Sequence, residues 1–175
     1  AQADDGYTGS AYIFKRDGTT WSQQQKIRGN DSVGSDSFGR SVAINSNYAI
    51  VGAYGGQGAA YIFTRDGTTW TQQQRIRSTD TAAGDVFGQS VSIYGDYVIV
   101  GAQDEDPPGF NNAGSAYIFK LSGTTWSEHQ KINTTDAAVS DAFGSSASIS
   151  GDYMIVGANA KSGGGAAYLF KRSGT

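Results

Sequence analysis

The chain repeats one pattern along its 175 residues. Tyr12-Ile13-Phe14 returns as Tyr61-Ile62-Phe63, as Tyr117-Ile118-Phe119 and, with one change, as Tyr168-Leu169-Phe170. Between these markers run Gly-Thr-Thr-Trp (ending at Trp21, Trp70 and Trp126), Phe-Gly (Phe38, Phe87, Phe143) and Val-Gly-Ala (ending at Ala53, Ala102 and Ala158). Successive Tyr markers are 49, 56 and 51 residues apart. A period of about 40–50 residues with several short strands in each is the sequence signature of a propeller blade. The expected fold class is therefore all-β, with about three blades of four antiparallel strands in this chain. The repeat units are approximately 1–37 (partial), 38–86, 87–142 and 143–175 (partial) of one segment, 1–175.

One unit shows how the strands are read. Residues 87–93 alternate small and apolar side chains, and Tyr94-Gly95-Asp96-Tyr97 is a tight turn. Residues 97–102 form a nearly continuous apolar strand, as expected when both faces are covered. Residues 116–120 and 126–132 follow, joined by a turn at Ser122-Gly123. Asp17-Gly18 and Asp66-Gly67 carry the same hairpin signal. The Phe-Gly strand is rich in Gly, Ser and Ala, which suits the crowded axis where blades converge. The Gln-rich Trp strand suits an outer edge. Trp70 and Ile76 have the same parity, which predicts that they share one strand face.

Composition removes several classes. No Cys is present, so disulfides and thiol chemistry are out. No apolar run is long enough to span a membrane. A net charge of −3 lacks the basic footprint that nucleic acid requires. The first residues, Ala1 to Gly6, carry no leader signal and read as the inside of a repeat, so the expectation is a mature or cut piece of something longer. His129, the single His, sits on the outer strand with no Ser or Cys partner in view, and no enzyme is expected.

Phe-Gly followed about a dozen residues later by Val-Gly-Ala resembles the FG-GAP repeat family, which includes the integrin α-chain propellers. The Gly-Thr-Thr-Trp strand is more similar to bacterial secreted members. The Pro that often completes the motif is replaced by Tyr54, Gln103 and Asn159. The resemblance implies a β-propeller, usually of seven blades, and extracellular or cell-surface recognition or adhesion. Integrin-type repeats often hold calcium between the Phe-Gly and Gly-Ala strands. Here that connection is only a turn (Asn45-Ser46-Asn47, Gly95-Asp96, Gly151-Asp152), too short for five or six oxygen ligands, so the site is not carried over.

Two groups of carboxylates stand out. Asp31, Asp80 and Asp136 each precede Asp36, Asp85 and Asp141 by five residues. They suit a repeated ligand site or, as expected of a position filled in every unit, caps on loop amides. Loop 103–114 is the longest and least repeated. Its Asp104, Glu105, Asp106, Asn111 and Asn112 are the candidate ligand residues, with Asp104 and Asp106 the candidate Ca²⁺ ligands, set against a solvated acidic surface loop, the reading favoured for such a segment. The Trp and Tyr register suits blade packing rather than sugar stacking. Asn30-Asp31-Ser32 and Asn133-Thr134-Thr135 fit the glycosylation pattern.

Three blades do not close a propeller. Apolar blade faces and strand edges at both ends call for completion by another copy or by the rest of a longer protein. Two copies forming a six-bladed ring, with strands from both termini sharing a blade, is the simplest closed form. The resemblance thus implies a non-catalytic extracellular recognition module with a protein or glycan ligand. A structural protein whose copies join into a ring or fibre is the alternative.

Overall fold

The computed structural model describes residues 8–173. Among these residues the chain forms β-strands and no helix. Strands β1 (Ala11–Asp17) and β2 (Thr20–Ile27) make a two-stranded first sheet. The second blade is β3 (Ser41–Ile44), β4 (Tyr48–Ala53), β5 (Ala59–Asp66) and β6 (Thr69–Ile76). The third is β7 (Phe87–Tyr94), β8 (Tyr97–Ala102), β9 (Ser115–Ser122) and β10 (Thr125–Ile132). The fourth is β11 (Phe143–Ser150), β12 (Tyr153–Ala158) and β13 (Ala166–Lys171). Each sheet is an antiparallel meander in chain order, as the repeat predicts.

The Phe-Gly strands β3, β7 and β11 pack on one another, while the Trp strands splay apart at the opposite sheet edge. The two glycine motifs meet where blades converge. A Cβ on Gly52 would lie 2.1 Å from the Gly88 carbonyl oxygen, and one on Gly101 would lie 2.0 Å from that of Gly144. The Gly-Ala strand of one blade therefore receives the Phe-Gly backbone of the next. Ser41 Oγ donates to Gly88 O and Ser90 Oγ to Gly144 O, each at 2.9 Å, which satisfies carbonyls that enter this dry contact.

Three seams hold the blades together. Each sets an aromatic face against an aliphatic one. Ile13 and Ile27 of the first sheet meet Phe38, Tyr61, Phe63 and Trp70. Ile50, Ile62 and Ile76 meet Phe87, Tyr117, Phe119 and Trp126. Ile99, Ile118 and Ile132 meet Phe143, Tyr168 and Phe170. In each aromatic face the Phe of Phe-Gly stands edge-on to the Tyr, with centroids 5.3, 5.5 and 5.6 Å apart.

Trp70 and Ile76 lie on opposite faces, not on the single face that their parity predicts. The β5–β6 register slips between Ile62 and Phe63, which leaves Gln73 as a bulge residue. The same slip recurs at Gln24 and at His129. A bulge inserts one residue and reverses the side-chain alternation beyond it. Trp70 therefore faces the first sheet and Ile76 faces the third blade.

Past the bulge, a glutamine joins neighbouring blades. Gln25 Nε2 donates to Trp70 O and its Oε1 accepts from Trp70 N, both at 2.8 Å. Gln74 repeats this with Trp126 at 2.7 and 2.8 Å. The primary amide copies a strand's donor and acceptor pair, and so bridges the gap that opens between diverging outer strands.

Candidate functional site

The tight turns fall at one end of the blades, where Leu121 N donates to Asp96 O and Arg65 N to Asn47 O. The long connections fall at the other end. There Gly84 N donates to Gly56 O and Ser140 N to Asn111 O, so loops of neighbouring blades are joined. Within blades, Gly55 N donates to Asp36 O, Asp104 N to Asp85 O and Ala160 N to Asp141 O. The loop end is a single hydrogen-bonded surface rather than a set of separate loops.

The repeated aspartates build that surface. Asp36, Asp85 and Asp141 accept from the amides of Val33, Ala82 and Ala138 at 2.9, 2.6 and 2.8 Å, three residues upstream of each. Asp31, Asp80 and Asp136 meet cations: Arg75 at 3.0 Å, Lys131 at 2.8 Å and Lys161 at 3.3 Å. Arg75 and Lys131 come from the outer strand of the following blade, and each also lies over the ring of its own blade's Tyr, Tyr61 or Tyr117. Tyr117 and Tyr168 donate their hydroxyls to Asp80 and Asp136, both at 2.9 Å. Burial pushes the Tyr61 hydroxyl up to about 12, against the lowering effect of Arg75. Burial also raises the Asp80 carboxyl, but hydrogen bonds from Lys131, Ser78 and Tyr117 outweigh it and hold Asp80 below the usual range. These groups act as inter-blade ties.

The five candidate residues of loop 103–114 fall into different settings. Glu105 is buried at 5% exposure. One carboxylate oxygen accepts from Lys131 Nζ at 2.6 Å and the other from Ser115 Oγ. Asp106 Oδ1 accepts from Asn112 N at 2.6 Å and fixes the loop's return. Asp104 is half-buried, and desolvation raises its carboxyl against a hydrogen bond from Gln103. Asn111 and Asn112 are exposed beside Phe110, itself 40% exposed. Asp104, Asp106 and the two Asn thus lie along the loop, while Glu105 turns into the blade toward Lys131. Among the described residues, no group of three or more His, Cys, Asp or Glu is disposed to hold a metal ion.

Asp85 also belongs to this corner. Burial raises its carboxyl against a hydrogen bond from Ala82, and the charges of Glu105, Asp106 and Asp80 push it up further. Asn133 turns its side-chain amide onto Gly114 O and Ser115 Oγ. His129 sits at the bulge with its ring 6.1 Å from that of Tyr97. Lys131 and Ser115, the partners of Glu105, are not among the candidate residues drawn from the sequence. The recurrence of Lys26, Arg75 and Lys131 at one repeat position was the available signal.

Among the described residues, no helix is long and apolar enough to cross a membrane. A family model described as FG-GAP repeat matches the chain three times, over residues 21–63, 70–119 and 126–170. A search of curated proteins finds no match to the chain.

Proposed function

The chain belongs to the FG-GAP repeat family, and we propose that it is a non-catalytic extracellular recognition module that binds a protein or glycan at its loop end. One observation carries this reading: loops of adjacent blades join into one surface, and on it loop 103–114 departs most from the repeat and displays Phe110, Asn111 and Asn112. A rigid repeated scaffold with one divergent, exposed loop is where binding specificity concentrates. An exposed aromatic ring next to side-chain amides suits a sugar face or a polypeptide chain.

The experiment is retention on immobilised protein of a panel of glycans and matrix proteins, repeated with residues 104–112 replaced by Gly-Gly-Gln, the sequence of 55–57. Ligand retained by the parent and lost by the exchange supports the reading. No retention, or retention that the exchange leaves unchanged, sinks it. Calcium belongs to the same proposal through Asp104 and Asp106. Calorimetric heats with Ca²⁺ that are the same in Asp104→Ala/Asp106→Ala as in the parent leave these carboxylates as loop residues only.

A second reading, in which copies of the chain complete one another in a ring or fibre, is favoured by apolar side chains exposed on both terminal sheets. Phe14 and Trp21 are 52% and 64% exposed at one end, and Ile155 and Leu169 are 45% and 71% exposed at the other.

A further inference from the structure

The surfaces left open on the second and fourth blades are the two halves of the seam that already forms between the second and third. On the aromatic face of the second blade, Val42 and Ile44 are 61% and 57% exposed. Their counterparts in the third blade, Val91 and Ile93, are 7% exposed because Ile50 and Ile62 of the second blade belong to the seam that covers them. The counterparts of Ile50 and Ile62 in the fourth blade are Ile155 and Leu169, which are open. The chain therefore displays both sides of one interface, at opposite ends.

The outer edge repeats this relation. The glutamine that joins blades at positions 25 and 74 recurs as Gln130, which is exposed and whose side chain holds no neighbouring strand among the described residues. Gln130 lines a cleft of about 250 Å³ with Tyr97, His129 and Arg172, beside the edge of β13 that pairs with no strand among the described residues. Tyr97 is the counterpart of Tyr48, whose ring stands edge-on to Trp126 at 5.5 Å. The cleft thus has the parts that hold a Trp strand elsewhere in the molecule. One strand of this chain carries an uncovered Trp: β2, with Trp21 at 64% exposure against 5% and 2% for Trp70 and Trp126. β2 is held in a two-stranded sheet, which is marginal by itself.

We propose that β11–β12–β13 of one copy docks over β3 and β4 of a second copy, displaces that copy's β1 and takes its β2 as the missing outer strand. This rests on the reading in which copies complete one another, and names its donor and acceptor. The exchange is close to balanced in hydrogen bonds, because β1 and β13 are nearly the same strand: Ala11-Tyr-Ile-Phe-Lys-Arg16 against Ala167-Tyr-Leu-Phe-Lys-Arg172. β2 keeps its Gln25 bonds to Trp70 within its own chain throughout. What changes is that Trp21 enters the cleft with Gln130 on its backbone, and Ile155 and Leu169 cover Val42 and Ile44. Asp136 then faces Lys26 of the incoming strand, as Asp31 faces Arg75 and Asp80 faces Lys131. Displacing β1 also removes the duplicate third strand, so two copies give six complete blades.

The register of β1 on β2 pairs Lys15 with Ser22, and Lys171 is the β13 counterpart of Lys15. The chain has no Cys, so two added thiols report without background. The test is an equal mixture of the Lys171→Cys and Ser22→Cys single variants, oxidised mildly and run without reductant, alongside light scattering of the parent chain. A disulfide-linked pair, absent when Gln24→Cys replaces Ser22→Cys, supports the exchange in an oligomer of any size. Gln130→Ala should weaken self-association about tenfold. A parent chain that stays monomeric at all concentrations overturns both the exchange and the reading it rests on. An oligomer without the 171–22 link, and indifferent to Gln130→Ala, overturns the exchange and leaves association through another surface.

Discussion

The third and fourth blades share strand type, motif and aromatic trio, yet the same residues do different work in them. Gly101 of the third blade faces the Gly144 carbonyl oxygen, whereas the nearest atom to a Cβ on Gly157 of the fourth is the side chain of Ser146. Trp126 is 2% exposed and Gln74 holds its backbone; the fourth blade has no Trp among its described strands, and Gln130 stands open. Ile99 is fully buried while Ile155 is 45% exposed. A motif residue in this fold is thus stabilising in proportion to what the next blade presents to it, and local sequence does not reveal that proportion.

Trp126→Ala should break the comparison most strongly. It removes a buried ring and leaves a cavity, at a cost of about 3–5 kcal/mol. Trp21→Ala should cost less than about 0.5 kcal/mol in the dilute monomer. Urea denaturation of both variants checks this, and equal costs would mean that Trp21 is already covered. Gly101→Ala should cost about 2–3 kcal/mol, because the obstruction is backbone that cannot turn aside. Gly157→Ala should cost under about 1 kcal/mol, since Ser146 can change rotamer. Thermal melts that rank these two the other way would refute the axial contact.

Gln74→Ala strips two bonds from Trp126 and should cost about 1–3 kcal/mol, while Gln130→Ala leaves monomer stability unchanged. The smallest effect concerns pH. Burial lowers the Lys131 ammonium, but Asp80 and Glu105 outweigh it and raise it overall. Its contribution is complete below the unfolded lysine value of about 10.4 and is lost as pH climbs through the folded value. Asp80 is depressed, so its contribution is present above about 3.9 and is lost as pH falls through its folded value. Asp80→Asn, which leaves Lys131 paired with Glu105, should flatten the acid limb by less than about 1 kcal/mol, because Asp80 is 46% exposed. A stability–pH curve identical to that of the parent would show that these ties carry no energy.

Much of this was legible from the repeat. Marker spacing located every hairpin, and the small-residue gradient oriented each sheet with Phe-Gly inward, because crowding at the axis acts on side-chain volume directly. The bulge at Gln24, Gln73 and His129 was not legible. It depends on the pairing of two strands, and the alternation of β6 alone predicts Trp70 and Ile76 on one face. At the loop end, the structural role expected of the paired aspartates agrees with their bonds to Val33, Ala82 and Ala138. Glu105 is indistinguishable in sequence from its loop neighbours, since its partner Lys131 lies 26 residues away on another strand.

The meeting of each Gly-Ala strand with the following Phe-Gly backbone has a consequence for how the molecule comes apart. Each such contact involves adjacent blades only. Cooperativity is therefore handed from neighbour to neighbour, as in a one-dimensional lattice. Amide protons should exchange slowest at the seam between β3–β6 and β7–β10 and progressively faster toward β1 and β13, a fraying gradient instead of a single opening event. Joining the two ends would abolish the gradient, because a closed circle of neighbours has no terminal member from which to fray.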